Sequence, residues 1–147
     1  PIVADTIKTT CLSSNIVVTC TPSTQYFVEK NWIQKGTFIA AVGADSPGKN
    51  ELDPQLMTDA KIVADITSQV IKVGESQHAI NKNLIDKSSI YCELGQLITG
   101  EINGRENNKD IFIYDSTGTA IQDVAAAACI YEKLKDNPSI QCIDFFA

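Results

Sequence analysis

Four short runs of β-branched and aliphatic residues recur along this chain, each followed by a turn or a segment with helical spacing. They are residues 16–21 (IVVTCT), 37–42 (TFIAAV), 61–66 (KIVADI) and 110–114 (DIFIY). Runs this short and apolar read as buried strands. Pro22-Ser23 ends the first, and Gly43 closes the second. Strands that alternate with helices predict an α/β domain built on a parallel sheet covered on both faces.

The helical segments are marked by their ends. Residues 1–14 read as the end of a helix leading into a turn at Ser13-Ser14-Asn15, and Val28, Trp32 and Ile33 suggest a helical turn within 24–35. Residues 51–60 read as a helix with Asp53 as cap, Pro54 at the first helical position and Leu56 and Met57 facing inward. A helix over 68–74 stops at Gly74, and 75–88 read as a short helix plus loop. Residues 89–98 (SIYCELGQLI) resemble an amphipathic helix, and 99–109 a polar loop. Residues 118–134 carry the clearest helical spacing, through Ile121, Val124, Ala128, Ile130 and Tyr131, and Asn137-Pro138 ends it.

Composition narrows the partners. The net charge of −6 and the lack of any basic run argue against nucleic acid or an anionic membrane. No stretch reaches the roughly 18–20 apolar residues of a membrane span. The five cysteines, Cys11, Cys20, Cys92, Cys129 and Cys142, are odd in number and widely spaced without C-x-x-C. They read as reduced, mostly buried thiols of a cytoplasmic protein, and no metal site is expected. The single histidine, His78, lies in a polar stretch and is expected at the surface, whereas Trp32 is expected in packing.

Ligands of parallel α/β sheets bind beyond the carboxyl ends of the strands. Three such ends carry suggestive residues: Thr21-Pro22-Ser23, Val42-Gly43-Ala44-Asp45 with Lys49 behind it, and Asp115-Ser116-Thr117-Gly118. Gly43 would let backbone approach a planar ring closely. Partial burial of Asp45 could tune it for proton transfer, although before Ser-Pro-Gly the pattern alone favours a turn residue. Ser116 and Thr117 could bind an anion at a helix N-terminus or form a plain N-cap. Pattern alone reaches a soluble α/β ligand-binding domain.

Three longer segments, 41–56 (AVGADSPGKNELDPQL), 91–105 (YCELGQLITGEINGR) and 110–134 (DIFIYDSTGTAIQDVAAAACIYEKL), with 16–23 (IVVTCTPS), carry more. Together, in this order, they resemble the ornithine cyclodeaminase/mu-crystallin family. The resemblance implies a partial Rossmann-like parallel sheet with flanking helices, the first βα units lying outside this sequence. It places residues 1–147 in the C-terminal portion of an NAD(P)-binding domain, with the final helix returning toward an N-terminal domain. It makes Asp45 the catalytic proton donor or acceptor. Lys49 and Ser116 would contact the cofactor, NAD or NADP, and Thr21, Phe38, Ile39, Ala40 and Ala41 would line its nicotinamide side. Thr117 would hold the substrate, and Cys20 would lie beside the nicotinamide pocket without reacting.

The implied chemistry is cyclodeamination of ornithine to proline and ammonia, or reduction of a related imine or keto acid. The Gly-x-Gly-x-x-Gly fingerprint and the acidic ribose ligand do not occur here and are expected upstream, as the start at Pro1 allows. The resemblance therefore implies part of an amino-acid or imine enzyme that is inactive alone. Its partner would be a second copy, as a homodimer, or the missing N-terminal half. The alternative is a non-catalytic ligand-binding or dimerising module.

Overall fold

The structure, a computed structural model, describes residues 2–141 and 143. Cys142 lies outside the described residues. The chain divides into two units, Pro1–Thr117 and Gly118–Ala147.

The first unit is built on a parallel sheet of β1 (Ile16–Thr19), β2 (Phe38–Ala41), β3 (Ala60–Ala64), β4 (Ile90–Glu93) and β5 (Ile111–Asp115). Their spatial order is β1-β2-β5-β3-β4. The last strand in sequence is thus central: Ile113 is opposite Ile39 on one side and Ile62 on the other. Side chains alternate across the sheet. Ile39, Ala41, Ile111 and Ile113 join one core with Ile62, Cys11, Val28, Leu52, Leu56, Met57 and Ala79. Phe112 enters a second, smaller core with Val63 and Cys92, flanked by Tyr91, Leu94, Leu97, Ile102 and Tyr114. Trp32 packs against the larger core, as its sequence context predicts.

Helices α1 (Ile7–Leu12), α2 (Thr67–Val73), α3 (Ser76–Asn81) and α4 (Leu94–Ile98) complete this unit. The hydroxyl of Thr6 caps α1 by accepting from the amide of Thr9 at 3.1 Å. The second unit holds α5 (Ala120–Leu134), capped by Thr119, with Ile121, Val124, Ile130 and Tyr131 exposed.

Four of the five strands lie where the apolar runs put them. The segment 89–98 is corrected: it is not one amphipathic helix but β4 followed directly by α4. The expected helix over 51–60 shrinks to a 3-10 turn, Pro54–Thr58, which Asp53 caps through the Gln55 amide. Its first residues are drawn out of helical geometry because Leu52 bridges to Val28. The expectation of cover on both faces fails at β1, where Ile16 and Val18 are 67% and 65% exposed. The cysteine reading also divides: Cys11 and Cys92 are buried, but Cys20 and Cys129 are exposed.

Candidate functional site

Because all five strands are parallel, their carboxyl ends share one edge. There the Val42 amide donates to the Thr19 carbonyl at 2.9 Å, and the Ser116 amide to the Ala41 carbonyl at 3.0 Å. The ends of β1, β2 and β5, with Thr21, the loop bearing Asp45 and Lys49, and Ser116, are therefore neighbours. A cleft of about 670 Å³ opens beside the first of them, lined by Ile7, Thr21, Pro22, Ser23 and Phe27.

Three buried carboxylates hold this edge together; of these the sequence picks out only Asp115, and that as a strand end rather than as a buried acid. Glu51 accepts the Thr21 amide at 2.6 Å with one oxygen and the Gly43 amide at 3.1 Å with the other. Glu75 accepts the amides of Glu51 at 2.7 Å and Leu52 at 3.1 Å, and the side-chain amide of Asn50 at 2.8 Å. Asp115 accepts the amides of Glu75 at 3.0 Å and Ser76 at 2.9 Å, and the Ser76 hydroxyl at 2.7 Å. Burial pushes the Glu75 carboxyl up to about 7 and that of Asp115 up to about 6, against the pull of these donors. Two glycines give the acids room. A Cβ on Gly43 would lie 2.5 Å from the Glu51 carboxyl, and one on Gly74 would lie 2.6 Å from Asp115 Oδ1. The space at Gly43 expected for a planar ring is thus filled by Glu51. Gly43 and Gly74 are the trace that Glu51 and Asp115 leave elsewhere in the sequence.

Asp45 departs from the expected partial burial. Its side chain is 54% exposed and meets Lys49 Nζ at 2.5 Å. The hydrogen bond from Lys49 holds the Asp45 carboxyl below its ordinary range. The loop itself is fastened from α3. Gly48 donates its amide to Gln77 Oε1 at 3.1 Å, and the Lys49 carbonyl lies 2.7 Å from His78 Nε2. His78 is accordingly half-buried and structural, which corrects the expected surface position.

Ser116 and Thr117 turn toward the end of β3. Asp65 Oδ2 accepts the Thr117 amide at 2.8 Å and lies 3.3 Å from the Ser116 hydroxyl. The Thr117 hydroxyl donates to Gln69 Oε1 at 2.8 Å. A carboxylate therefore occupies the place where an anion was expected, and the helix cap is Thr119 rather than Ser116 or Thr117. Of the β2 residues, Ala41 reaches the carboxyl edge, Ala40 is half-buried, Ile39 is wholly in the core, and Phe38 begins the strand at its opposite end. Exposed Cys20 directly precedes Thr21. Among the described residues no group of three or more His, Cys, Asp or Glu side chains could hold a metal ion, and no helix is long and apolar enough to cross a membrane.

A parallel sheet with flanking helices and polar loops gathered at its carboxyl edge defines a Rossmann-like α/β domain. The chain belongs to the ornithine cyclodeaminase/mu-crystallin family, whose model matches residues 2–138. It is 42% identical to an alanine dehydrogenase of Archaeoglobus fulgidus over 90% of this chain and 41% of the relative. It is 36% identical to an iminosuccinate reductase of Paracoccus denitrificans over 83% of this chain and 38% of the relative. Among solved structures it superposes on an archaeal alanine dehydrogenase dimer with bound NAD (TM-score 0.81, 42% identity, 90% of this chain and 41% of the other). It also superposes on the Δ1-pyrroline-2-carboxylate reductase of Thermococcus litoralis in complex with NADH and L-proline (TM-score 0.84, 30% identity, 88% and 41%). The chain spans about 40% of the length of the relatives it matches.

Proposed function

We propose that this chain forms the nicotinamide-facing part of an NAD(P)-dependent enzyme that acts on an amino acid or its imine. The observation that carries the reading is the meeting of Thr21, the Asp45–Lys49 pair and Ser116 at one sheet edge. These residues fit the nicotinamide end of a dinucleotide. The cleft offers the hydroxyls of Thr21 and Ser23 beside apolar Phe27, a mixture suited to a ring bearing a carboxamide. They do not supply a pyrophosphate grip, because the sequence holds no Gly-x-Gly-x-x-Gly turn.

When bound, the nicotinamide supplies or accepts the hydride at the substrate α-carbon. In the oxidative direction Asp45, kept ionised by Lys49, takes a proton from the substrate α-ammonium group; in the reverse direction that proton goes back from Asp45 to the amine nitrogen formed by hydride addition. Lys49 positions that carboxylate and contacts the cofactor. Ala41, at the carboxyl edge of β2, and Ala40 before it bound the nicotinamide side, whereas Ile39 in the core and Phe38 at the far end of the strand stand away from it. Ser116 contacts the cofactor, and Thr117 helps hold the substrate. We read α5, with its exposed Ile121, Val124, Ile130 and Tyr131, as returning toward an N-terminal domain that carries the substrate carboxylate clamp. Free Cys11, Cys20, Cys92 and Cys129 suit a reducing cytoplasm.

The test has two parts. Fluorescence titration of NADH against the 147-residue chain alone should give no micromolar binding; tight binding contradicts the division of the cofactor site. Joined to a Gly-rich dinucleotide-binding half, the chain should support NADH oxidation with an α-imino or α-keto acid and ammonia. Asp45→Ala should then lower kcat about 10²-fold or more, and retained activity would remove Asp45 from the proton transfer.

A second reading, a non-catalytic module that dimerises, draws on the uncovered β1 edge with exposed Ile16 and Val18. Sedimentation of the chain alone distinguishes the two: a tight dimer with no response to nicotinamide favours the module.

A further inference from the structure

We infer that Glu51 is a positioning residue of this site, whose buried carboxylate sets the placement of the Asp45 loop relative to Thr21. What the site does rests on the functional reading above; what Glu51 holds rests on geometry. The side chain is fully buried, with 0% exposure. Its two oxygens take amides from two different loops, Thr21 after β1 and Gly43 after β2. Because Glu51 also ends the segment that Gly43 begins, the same carboxylate closes the loop carrying Asp45 and Lys49 and fastens it to the neighbouring strand.

The chemistry of the side chain explains its retention in a place where desolvation disfavours charge. Two amide hydrogens converge on its two terminal atoms. Among side chains of this length, only a carboxylate accepts at both ends; glutamine would point an NH₂ at one of the donors. The clamp is itself anchored from the middle of the sheet. Asp115, at the end of β5, holds the amide of Glu75, and Glu75 holds the amide of Glu51. A path of hydrogen bonds thus runs from the central strand to the two loops that would face the nicotinamide and the substrate. Glu51 lies behind Asp45 rather than beside the reacting atoms, so its effect passes through Asp45.

The test uses the full 147-residue chain and two NMR readouts, with Glu51→Gln as the main variant because Glu51→Ala, leaving the buried Gly43 amide and the part-buried Thr21 amide unpaired, can fail to fold. In Glu51→Gln, amide exchange at Thr21 or Gly43 should quicken about tenfold or more, while Ile39, Ile62 and Ile113 keep their protection. The Asp45 carboxyl should titrate closer to its ordinary value, because the loop no longer keeps Lys49 fixed against it.

Unchanged exchange at both amides would overturn the inference. So would a general loss of core protection, or faster local exchange with Asp45 titrating as before. Nicotinamide mononucleotide, added to the wild-type chain, should shift the amides of Thr21 and residues 41–45. If it shifts none, the functional reading fails, and the exchange and titration results still decide the role of Glu51.

Discussion

Glu75 grips Glu51 by its backbone: one Glu75 oxygen accepts the Glu51 amide at 2.7 Å, leaving the Glu51 carboxylate free to take amides further out. Asp115 takes the Glu75 amide in the same way. Three acids thus stand in series with each carboxylate facing N–H or O–H donors, an arrangement that offsets part of the cost of burying them.

The series should make stability depend on pH. Burial raises the Glu75 carboxyl from 4.5 to about 7, so the folded chain binds that proton more tightly than the unfolded chain. The corresponding stabilisation is full below 4.5 and is lost as pH rises through about 7. Asp115, raised from 3.8 to about 6, acts in the same direction over a lower window. The urea midpoint should fall between about pH 5 and about pH 8, and Glu75→Gln should flatten that fall. A wild-type midpoint that rises over this range contradicts the expectation.

Asp115→Ala should be more damaging than a surface change, because it strands the amides of Glu75 and Ser76 and the Ser76 hydroxyl in the interior. A loss of roughly 2–4 kcal/mol in urea unfolding is expected. A loss below about 0.5 kcal/mol, the scale of ordinary surface substitutions, would show that these donors find other partners.

Two glycines should respond in opposite directions to the same substitution. Gly43→Ala drives a methyl group to 2.5 Å from the Glu51 carboxyl and should cost roughly 1–3 kcal/mol. Gly95, within α4, has nothing within 4 Å of its would-be Cβ, so Gly95→Ala should stabilise by roughly 0.5–1 kcal/mol. Thermal melts of the two variants on either side of wild type are the check.

Lys49→Met should raise the pKa of Asp45, since the Lys49 hydrogen bond is the main force holding that carboxyl down. Carbon-detected NMR titration of Asp45 reads this directly. An unmoved titration would mean that the Asp45–Lys49 pair does not persist in solution.

The strands were legible because their signal is local. Residues 37–42 and 110–114 hold β-branched and aromatic residues that suit a buried ladder, and they became β2 and β5. β4 was not legible, for a specific reason. Tyr91, Leu94 and Leu97 all pack on the smaller core at intervals of three, which imitates one helical face although a strand ends between the first two. The positions of Asp45 and Ser116 at strand ends followed from the topology rule. Glu51 and Glu75 behind them, and the burial of Asp115, could not be found that way. Glu51 and Thr21 are 30 residues apart, and Glu75 and Asp115 are 40 apart, so their burial depends on contacts that no short window contains. His78 was misplaced for the same reason, its partner being the Lys49 carbonyl 29 residues away.

The central position of β5 bears on how such a chain can be made. A nascent polypeptide halted before Ile111 holds β1 with β2 and β3 with β4, two ribbons with no strand to join them. The sheet cannot knit as it emerges from the ribosome; it must wait for its last strand to arrive and slot between partners made long before. Until then Ile39 and Ile62, the residues that Ile113 will separate, face an open seam. Synthesis rate across residues 65–110, or a chaperone that guards that seam, would govern how much of the chain reaches its native form.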